Sequence, residues 1–363
     1  MLLTGLGLVI LILVVVTIFM YTAPQMGQKP TGGDLERIKK SPFYGSERFI
    51  NLTDTETASI GELMGTLPEY IRSSNGKPEK PLPVRFGQNH QTVADSLCFI
   101  TWYGHSAFLL EIDGKRILID PMFGKSPSPF PFGSRRFDYE KPIPLHEITD
   151  IDAVILSHDH YDHLDYPTIL ALKDEVGHFY VPLGVGSHLK KWGVQGELVT
   201  ELDWWQSTEH QGIQLIACPA RHFSGRGFSD RNATQWSSWV IKSDHQNIFF
   251  SGDSGYGQHF KEIGEKYGPF NLAMMECGQY NKAWEAIHMM PEQSVLAGKE
   301  VNAQLVMPIH WGAFKLSIHE WTDPIIRFKN ESERMNLPII NPVIGERFCL
   351  GQNFPRKEWW RLQ

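Results

Sequence analysis

Four metal-ligand side chains within six positions, His158, His160, Asp162 and His163, constrain this chain more than any other feature. They follow an apolar run, residues 151–156, that reads as a buried strand, so the cluster sits on the loop leaving a strand's carboxyl end. If that loop begins extended, alternate side chains share a face: His158, His160 and Asp162 point together while Asp159 and Tyr161 point away. Pro167 and the apolar set Ile169, Leu170 and Leu172 then predict a helix that stops at Gly177. Nitrogen and oxygen donors without thiolates suit zinc first, with manganese or iron as alternatives.

The chain of 363 residues is 42% hydrophobic and 21% charged, enough apolar material for one large core or two modest ones. A net charge of −7 gives no ground for a nucleic-acid surface. Cys98, Cys218, Cys277 and Cys349 are widely separated and lie in apolar stretches, which predicts buried free thiols in a reducing compartment. Residues 1–23 carry no charged side chain and are long enough to cross a hydrocarbon core, which predicts an uncleaved single-pass transmembrane helix. Lys29, Arg37, Lys39 and Lys40 come after it, so the positive-inside rule places the catalytic part in the cytoplasm. Residues 24–95, punctuated by Pro, Gly, Ser and charge, read as an extended arm or linker with one or two short helices, residues 35–40 among them.

Residues 97–120 hold two apolar runs joined by Asp113-Gly114, the signature of a β-hairpin, and the second run closes at Asp120-Pro121. The next segment, 123–137, is rich in Pro and Phe and carries Lys125, Arg135 and Arg136. It has two readings: a membrane-facing or substrate-covering loop, or an irregular loop with its rings packed inward. Strands are predicted at 179–183 and 198–205 and a helix at 187–192. Trp204 and Trp205 either line an acyl-chain groove or pack in the interior. Three more ligand candidates each emerge at the carboxyl end of an apolar strand: His222 after 213–218, Asp253 after 247–251 and His310 after 305–309. Each has an ordinary structural explanation taken alone. Their shared position, where α/β sheets gather functional groups, favours convergence on one crevice.

With those residues in order, the chain resembles the metallo-β-lactamase superfamily over residues 96–352. The resemblance implies an α/β (α+β) fold, a four-layer αββα sandwich of two similar halves with metals between the sheets. Here the transmembrane helix precedes it, and residues 353–363 form a C-terminal tail. Local text narrows the match. Thr101-Trp-Tyr-Gly-His-Ser-Ala, Ser157-His-Asp-His-Tyr-Asp-His-Leu-Asp-Tyr, Glu201-Leu-Asp-Trp-Trp, Phe249-Phe-Ser-Gly-Asp-Ser-Gly-Tyr and Ile309-His-Trp-Gly-Ala-Phe are similar to the phospholipases D that hydrolyse N-acylphosphatidylethanolamine. The resemblance implies two zinc ions per chain: His158, His160 and His222 on one, Asp162, His163 and His310 on the other, and Asp253 bridging.

The activity implied by the resemblance is hydrolysis of a membrane phospholipid to N-acylethanolamine and phosphatidate by a metal-bridging hydroxide. Two divalent cations against Asp162 and Asp253 leave a net positive site that favours an anionic phosphodiester. Asp162 and His288 are the catalytic candidates, His288 as proton donor to the leaving group or as phosphate contact. Asp120 is expected to orient a ligand histidine, and His105 to be either a similar partner or a packed loop histidine. Tyr280, Trp204 and Trp205 are candidates for substrate contact. The lipid bilayer is the expected partner, and a homodimer is left open. The alternatives are another dinuclear metal hydrolase, of sugar-phosphate lactonase or nuclease type, and a non-catalytic membrane-anchored scaffold.

Overall fold

The computed structural model describes all residues except 1, 57–59, 73–75, 88–96, 131, 353 and 363. A helix, α1 (Leu2–Thr22), leads into an arm containing α2 (Gly32–Ile38), the short pair β1 (Tyr44–Gly45) and β2 (Arg48–Phe49), and α3 (Ile60–Arg72). Next come β3 (Cys98–Trp102), β4 (Phe108–Ile112), β5 (Lys115–Ile119), β6 (Ile151–Ile155), α4 (Tyr166–Leu172), β7 (Val176–Pro182), α5 (Gly186–Lys191) and β8 (Val199–Leu202). The remainder comprises β9 (Ser207–His210), β10 (Ile213–Cys218), β11 (Ser238–Lys242), β12 (Asn247–Phe250), α6 (His259–Tyr267), β13 (Leu272–Glu276), α7 (Pro291–Glu300), β14 (Val306–Ile309), α8 (Asp323–Arg334) and β15 (Arg347–Cys349).

Two mixed sheets result. One has seven strands in the order β15-β3-β4-β5-β6-β7-β8, the other six in the order β14-β13-β12-β11-β10-β9. The two-residue period of a strand sorts the side chains of the first sheet onto two faces. Phe108, Leu110 and Ile112 of β4 join the large core shared with the second sheet, whereas Leu109 joins a separate cluster with Leu118, Val154, Phe179 and the helix residues Ile169 and Leu189. Helices α6, α7 and α8 pack on the second sheet, Phe260, Val295, Ile325 and Phe328 entering the large core. Helices thus flank two facing sheets, an α/β sandwich.

The hairpin β4–β5 turns at Asp113 (φ 48°) and Gly114 (φ 72°), the left-handed pair that a two-residue turn needs and that Asp-Gly supplies at low cost. Helix α4 is shorter than expected. It ends at Leu172, and Gly177 lies inside β7, whose backbone hydrogen bonds to β6 claim that residue for a strand. Asp165 caps α4 by accepting from the Thr168 amide at 3.1 Å.

The N-terminal expectation needs correcting. Among the described residues no helix is long and apolar enough to cross a membrane. Helix α1 exists, but the side chains of Leu2, Leu3, Thr4 and Leu6 lie outside the described residues. Within its described part the helix does not reach the length and apolarity that a hydrocarbon core of ~30 Å requires. The single-pass anchor is therefore overturned, and the cytoplasmic placement argued from it goes with it. At its far end α1 meets the 123–137 segment, where Phe19 stacks on Phe130 at 5.1 Å. In that segment Phe123 and Phe137 are buried while Phe132 is exposed. All four cysteines are buried and free.

Candidate metal centre

Strand ends build the site. In the second sheet β10, β12, β13 and β14 run in one direction, and their carboxyl ends deliver His222, Asp253, Glu276 and His310 to one edge. In the first sheet β5 and β6 are parallel and deliver Asp120 and the loop 156–163. The sheets are stitched together at this edge: Ser237 N donates to Ser157 O at 2.8 Å, His105 N to Trp311 O at 2.8 Å and His310 N to His105 O at 3.0 Å. His105 (φ 54°) and His310 (φ 66°) both occupy the left-handed region, a conformation that non-glycine residues hold only where the surroundings impose it. At Gly278 an added Cβ would lie 1.9 Å from His310 O, so only glycine lets that backbone approach.

The metal loop alternates as expected. His158, His160 and Asp162 face the cluster. Asp159 turns away to accept from Gly225 N at 2.8 Å and Thr234 Oγ1 at 2.9 Å, and Tyr161 to donate to Arg226 O at 2.7 Å. His160 Nδ1 lies 2.9 Å from His158 Nε2 and 3.2 Å from His222 Nε2. Nitrogens bound 2.0–2.1 Å from a tetrahedral ion stand about 3.3 Å apart, so this trio matches three of the four corners of such a coordination sphere. Beside it Asp253 Oδ2 is 3.0 Å from His163 Nε2 and 3.2 Å from His310 Nε2, and Asp162 Oδ2 is 3.3 Å from His310 Nε2. The same Asp253 oxygen is 3.9 Å from both His158 Nε2 and His222 Nε2, which places it between the two groups.

Hydrogen bonds behind the ligands set which nitrogen faces inward. His163 Nδ1 donates to Asp120 Oδ2 at 2.7 Å. Ser157 Oγ donates to the same carboxylate at 2.5 Å, so it must accept from His158 Nδ1 at 2.9 Å. His222 Nδ1 donates to Ile287 O at 2.9 Å. Each of these rings therefore offers Nε2 as a lone pair, as a metal ligand must. His163 Nε2 and Asp253 Oδ1 are buried without a hydrogen-bond partner. Burial opposes charge on His163, but Asp253, Asp162 and Asp120 together hold its imidazole well above the usual value. Burial pushes His158, His160 and His222 the other way, toward the neutral form that binds metal. Unpaired inward atoms, neutral imidazoles and carboxylates in need of positive charge all fit divalent cations.

Some residues stand where the sequence does not mark them. His105 Nε2 lies 2.9 Å from Asp162 Oδ2, so it contacts a candidate ligand carboxylate rather than a ligand histidine. Ser157 joins Asp120 to His158. Glu276, fully buried at the end of β13, accepts from His288 Nδ1 at 3.1 Å. Its position after the apolar run Leu-Ala-Met-Met follows the strand-end rule that singled out His222, Asp253 and His310, and was the available signal. A cavity of about 320 Å³ opens on His160, Asp162, Asp253 and His310, with His288, Phe223, Trp284, Ile287 and Leu316 on its walls and Arg231 and Gln279 among its polar groups.

The candidate substrate contacts are placed elsewhere. Trp204 is buried against Ile38, Phe49 and Trp236, and its indole N–H donates to Trp236 O. Trp205 stacks on Tyr267 with Lys266 Nζ 3.5 Å above its ring. Tyr280 turns to α8, donates to Asp323 and stacks on His319 at 4.5 Å. None of the three lines the cavity, because each polar tip or ring face has a partner inside the fold.

A family model described as the beta-lactamase superfamily domain matches residues 115–311. An uncharacterized protein of Mycobacterium tuberculosis is 38% identical over 342 residues, 91% of each chain. An N-acyl-phosphatidylethanolamine-hydrolyzing phospholipase D of Caenorhabditis elegans is 32% identical over 272 residues, 71% of this chain and 76% of that one. A metallo hydrolase from the archaeon Ignicoccus hospitalis superposes with a TM-score of 0.55 at 20% identity, covering 71% of this chain and 100% of its own. With the strand-end ligand set in place beneath these likenesses, the chain belongs to the metallo-β-lactamase superfamily of metal-dependent hydrolases.

Proposed function

We propose that the protein is a zinc-dependent phosphodiesterase of phospholipase D type that cleaves N-acylphosphatidylethanolamine into N-acylethanolamine and phosphatidate. The observation that carries this reading is the cavity itself: apolar walls of Phe223, Trp284, Ile287 and Leu316 and one guanidinium, Arg231, border a metal-ligand cluster. Such a lining suits an anion flanked by apolar groups. The worm relative, whose name states that activity, supports the same substrate class. A pair of zinc ions, one on His158, His160 and His222 and one on Asp162, His163 and His310 with Asp253 shared, would supply Lewis acidity and a water acidified to near neutrality.

The chain's own groups do the rest. Asp120, Ser157, His105 and the Ile287 carbonyl fix the ligand rings and the Asp162 carboxylate. Arg231 supplies positive charge on the cavity wall. His288 reaches the cavity with its Nδ1 proton on Glu276, so Nε2 is the nitrogen it presents to substrate. In this tautomer it accepts a hydrogen bond, and donating one to the leaving oxygen requires a second proton on the ring. The test is incubation of purified protein, with and without chelator, on a phospholipid panel that includes N-acylated phosphatidylethanolamine, with products read by mass. Chelator-sensitive release of phosphatidate and N-acylethanolamine is expected, and Asp162→Asn should abolish it while the fold survives. Release of diacylglycerol, or turnover of lactones with no lipid cleaved, overturns the assignment.

A further inference from the structure

Glu276 is the one carboxylate at this site whose placement the ligand set does not explain. It is fully buried at the end of β13, and both of its oxygens are occupied by donors. Met289 N donates to Oε1 at 2.8 Å, and Ser254 N and His288 Nδ1 donate to Oε2 at 3.1 Å each. Two backbone amides and the His288 ring thus converge on the carboxyl group and hold it in a fixed orientation. The Glu276 carbonyl accepts from Ser294 at the start of α7, so main chain and side chain are both pinned.

Two histidines lie on this one group. His288 gives it the Nδ1 proton and, among the described residues, has no protein partner for Nε2, while the ring itself lines the cavity. His310 points Nε2 into the metal cluster and has its buried Nδ1 4.0 Å from the same Glu276 oxygen, too far for a hydrogen bond yet close enough for the charge to act. The two rings stack at 5.3 Å with 13° between their planes. His288 is therefore held as the ligand histidines are, Nδ1 on an acceptor and Nε2 free, but it faces substrate space.

We propose that Glu276 is a positioning residue which fixes the tautomer and angle of His288 toward the reacting phosphodiester and at the same time backs the metal ligand His310. This rests on the phosphodiesterase reading only for the nature of the substrate. Loss of an acceptor behind a metal-site histidine costs about 10–100-fold in affinity or activity, which sets the scale expected here.

The experiment uses the full chain loaded with zinc and compares Glu276→Gln, His288→Ala and the double variant. Thermal unfolding is read first, and Glu276→Asp stands in if the glutamine variant does not fold. Glutamine is close in shape, but its amide N–H₂ must face one of the donors that the carboxylate now receives. On N-acylphosphatidylethanolamine in mixed micelles and on bis(p-nitrophenyl) phosphate, Glu276→Gln should lower kcat about 10–100-fold and move KM by less than about threefold. With zinc in saturating excess, the double variant should be slower than His288→Ala alone by much less than Glu276→Gln is slower than the wild type, because Glu276 acts on the phosphodiester through His288. In competition with a chromophoric chelator, Glu276→Gln should release zinc about tenfold more readily, while His288→Ala leaves zinc retention unchanged. Losses that multiply in the double variant, or wild-type kcat and zinc retention in Glu276→Gln, overturn the proposal. If the wild type cleaves the nitrophenyl diester but not the lipid, the lipid assignment fails, and the same cycle on the diester still decides the role of Glu276.

Discussion

At the scale of single residues, the convergence of the candidate ligands was legible because they are dense, as in the 157–163 loop, or recur at strand ends. The residues behind the ligands were not, since nothing local distinguishes Ser157 from any serine that ends a strand. Its hydroxyl nevertheless relays His158 to Asp120 through bonds of 2.9 and 2.5 Å. Ser157→Ala leaves His158 Nδ1 and one Asp120 oxygen without that partner and should weaken metal retention about 10–100-fold with little change in fold, measured by chelator competition and circular dichroism. A second consequence concerns pH. Burial, reinforced by the nearby Arg221 charge, pushes the His259 imidazole down to about 3. The unfolded chain then binds a proton near pH 6.5 that the folded chain refuses. This histidine costs no stability above about pH 6.5 and progressively more as pH falls toward 3, by up to about 1.4 kcal/mol per pH unit. Urea unfolding at descending pH should show a shallower decline in His259→Gln than in the wild type.

At the scale of elements, strands were easier to read than what joins them. Strand β10 has the bounds its apolar run predicts, whereas α4 stops five residues short of Gly177, because β7 begins at Val176 and its pairing with β6 overrides the helical pattern. The arm is where local sequence said least. Residues 24–28 are tied to the metal loop by the buried guanidinium of Arg226, which donates to Asp159 O at 2.6 Å, Leu164 O at 2.9 Å and Gln25 O at 2.8 Å, and lies 3.9 Å from the Tyr161 ring. His188 Nδ1 adds a bond from Gln28 N at 3.0 Å. The Arg226–Gln25 contact joins positions 201 apart in sequence and the His188–Gln28 contact positions 160 apart, which no periodicity reveals. Arg226→Met keeps the bulk and removes the donors, leaving carbonyls of the metal loop unpaired. It should cost at least about 2 kcal/mol of stability and open the 24–28 segment to protease, read by chemical denaturation and limited proteolysis.

At the scale of the whole molecule, the core draws in residues that lie beyond the sheets in sequence. Trp359 and Trp360 are buried in the large cluster, with Trp359 stacked on Trp311 at 5.3 Å, one residue from the ligand His310. Trp359→Ala should cost about 3–5 kcal/mol and lower the melting temperature accordingly. Individual strands were legible from their apolar runs and the sandwich was implied by the resemblance to the metallo-β-lactamase superfamily, but this closure was not, because an aromatic pair carries no sign of what it packs against. The chamber above the metal ligands has a further consequence. At about 320 Å³ it can receive the phosphate and the groups next to it, not the three fatty chains of an N-acylphosphatidylethanolamine as well. On the proposed function the hydrocarbon stays in the aggregate it came from, and the catalyst works at an interface. Its velocity then tracks the mole fraction of substrate within the aggregate, so adding inert detergent at constant total substrate should slow turnover even though not one molecule of lipid has been removed.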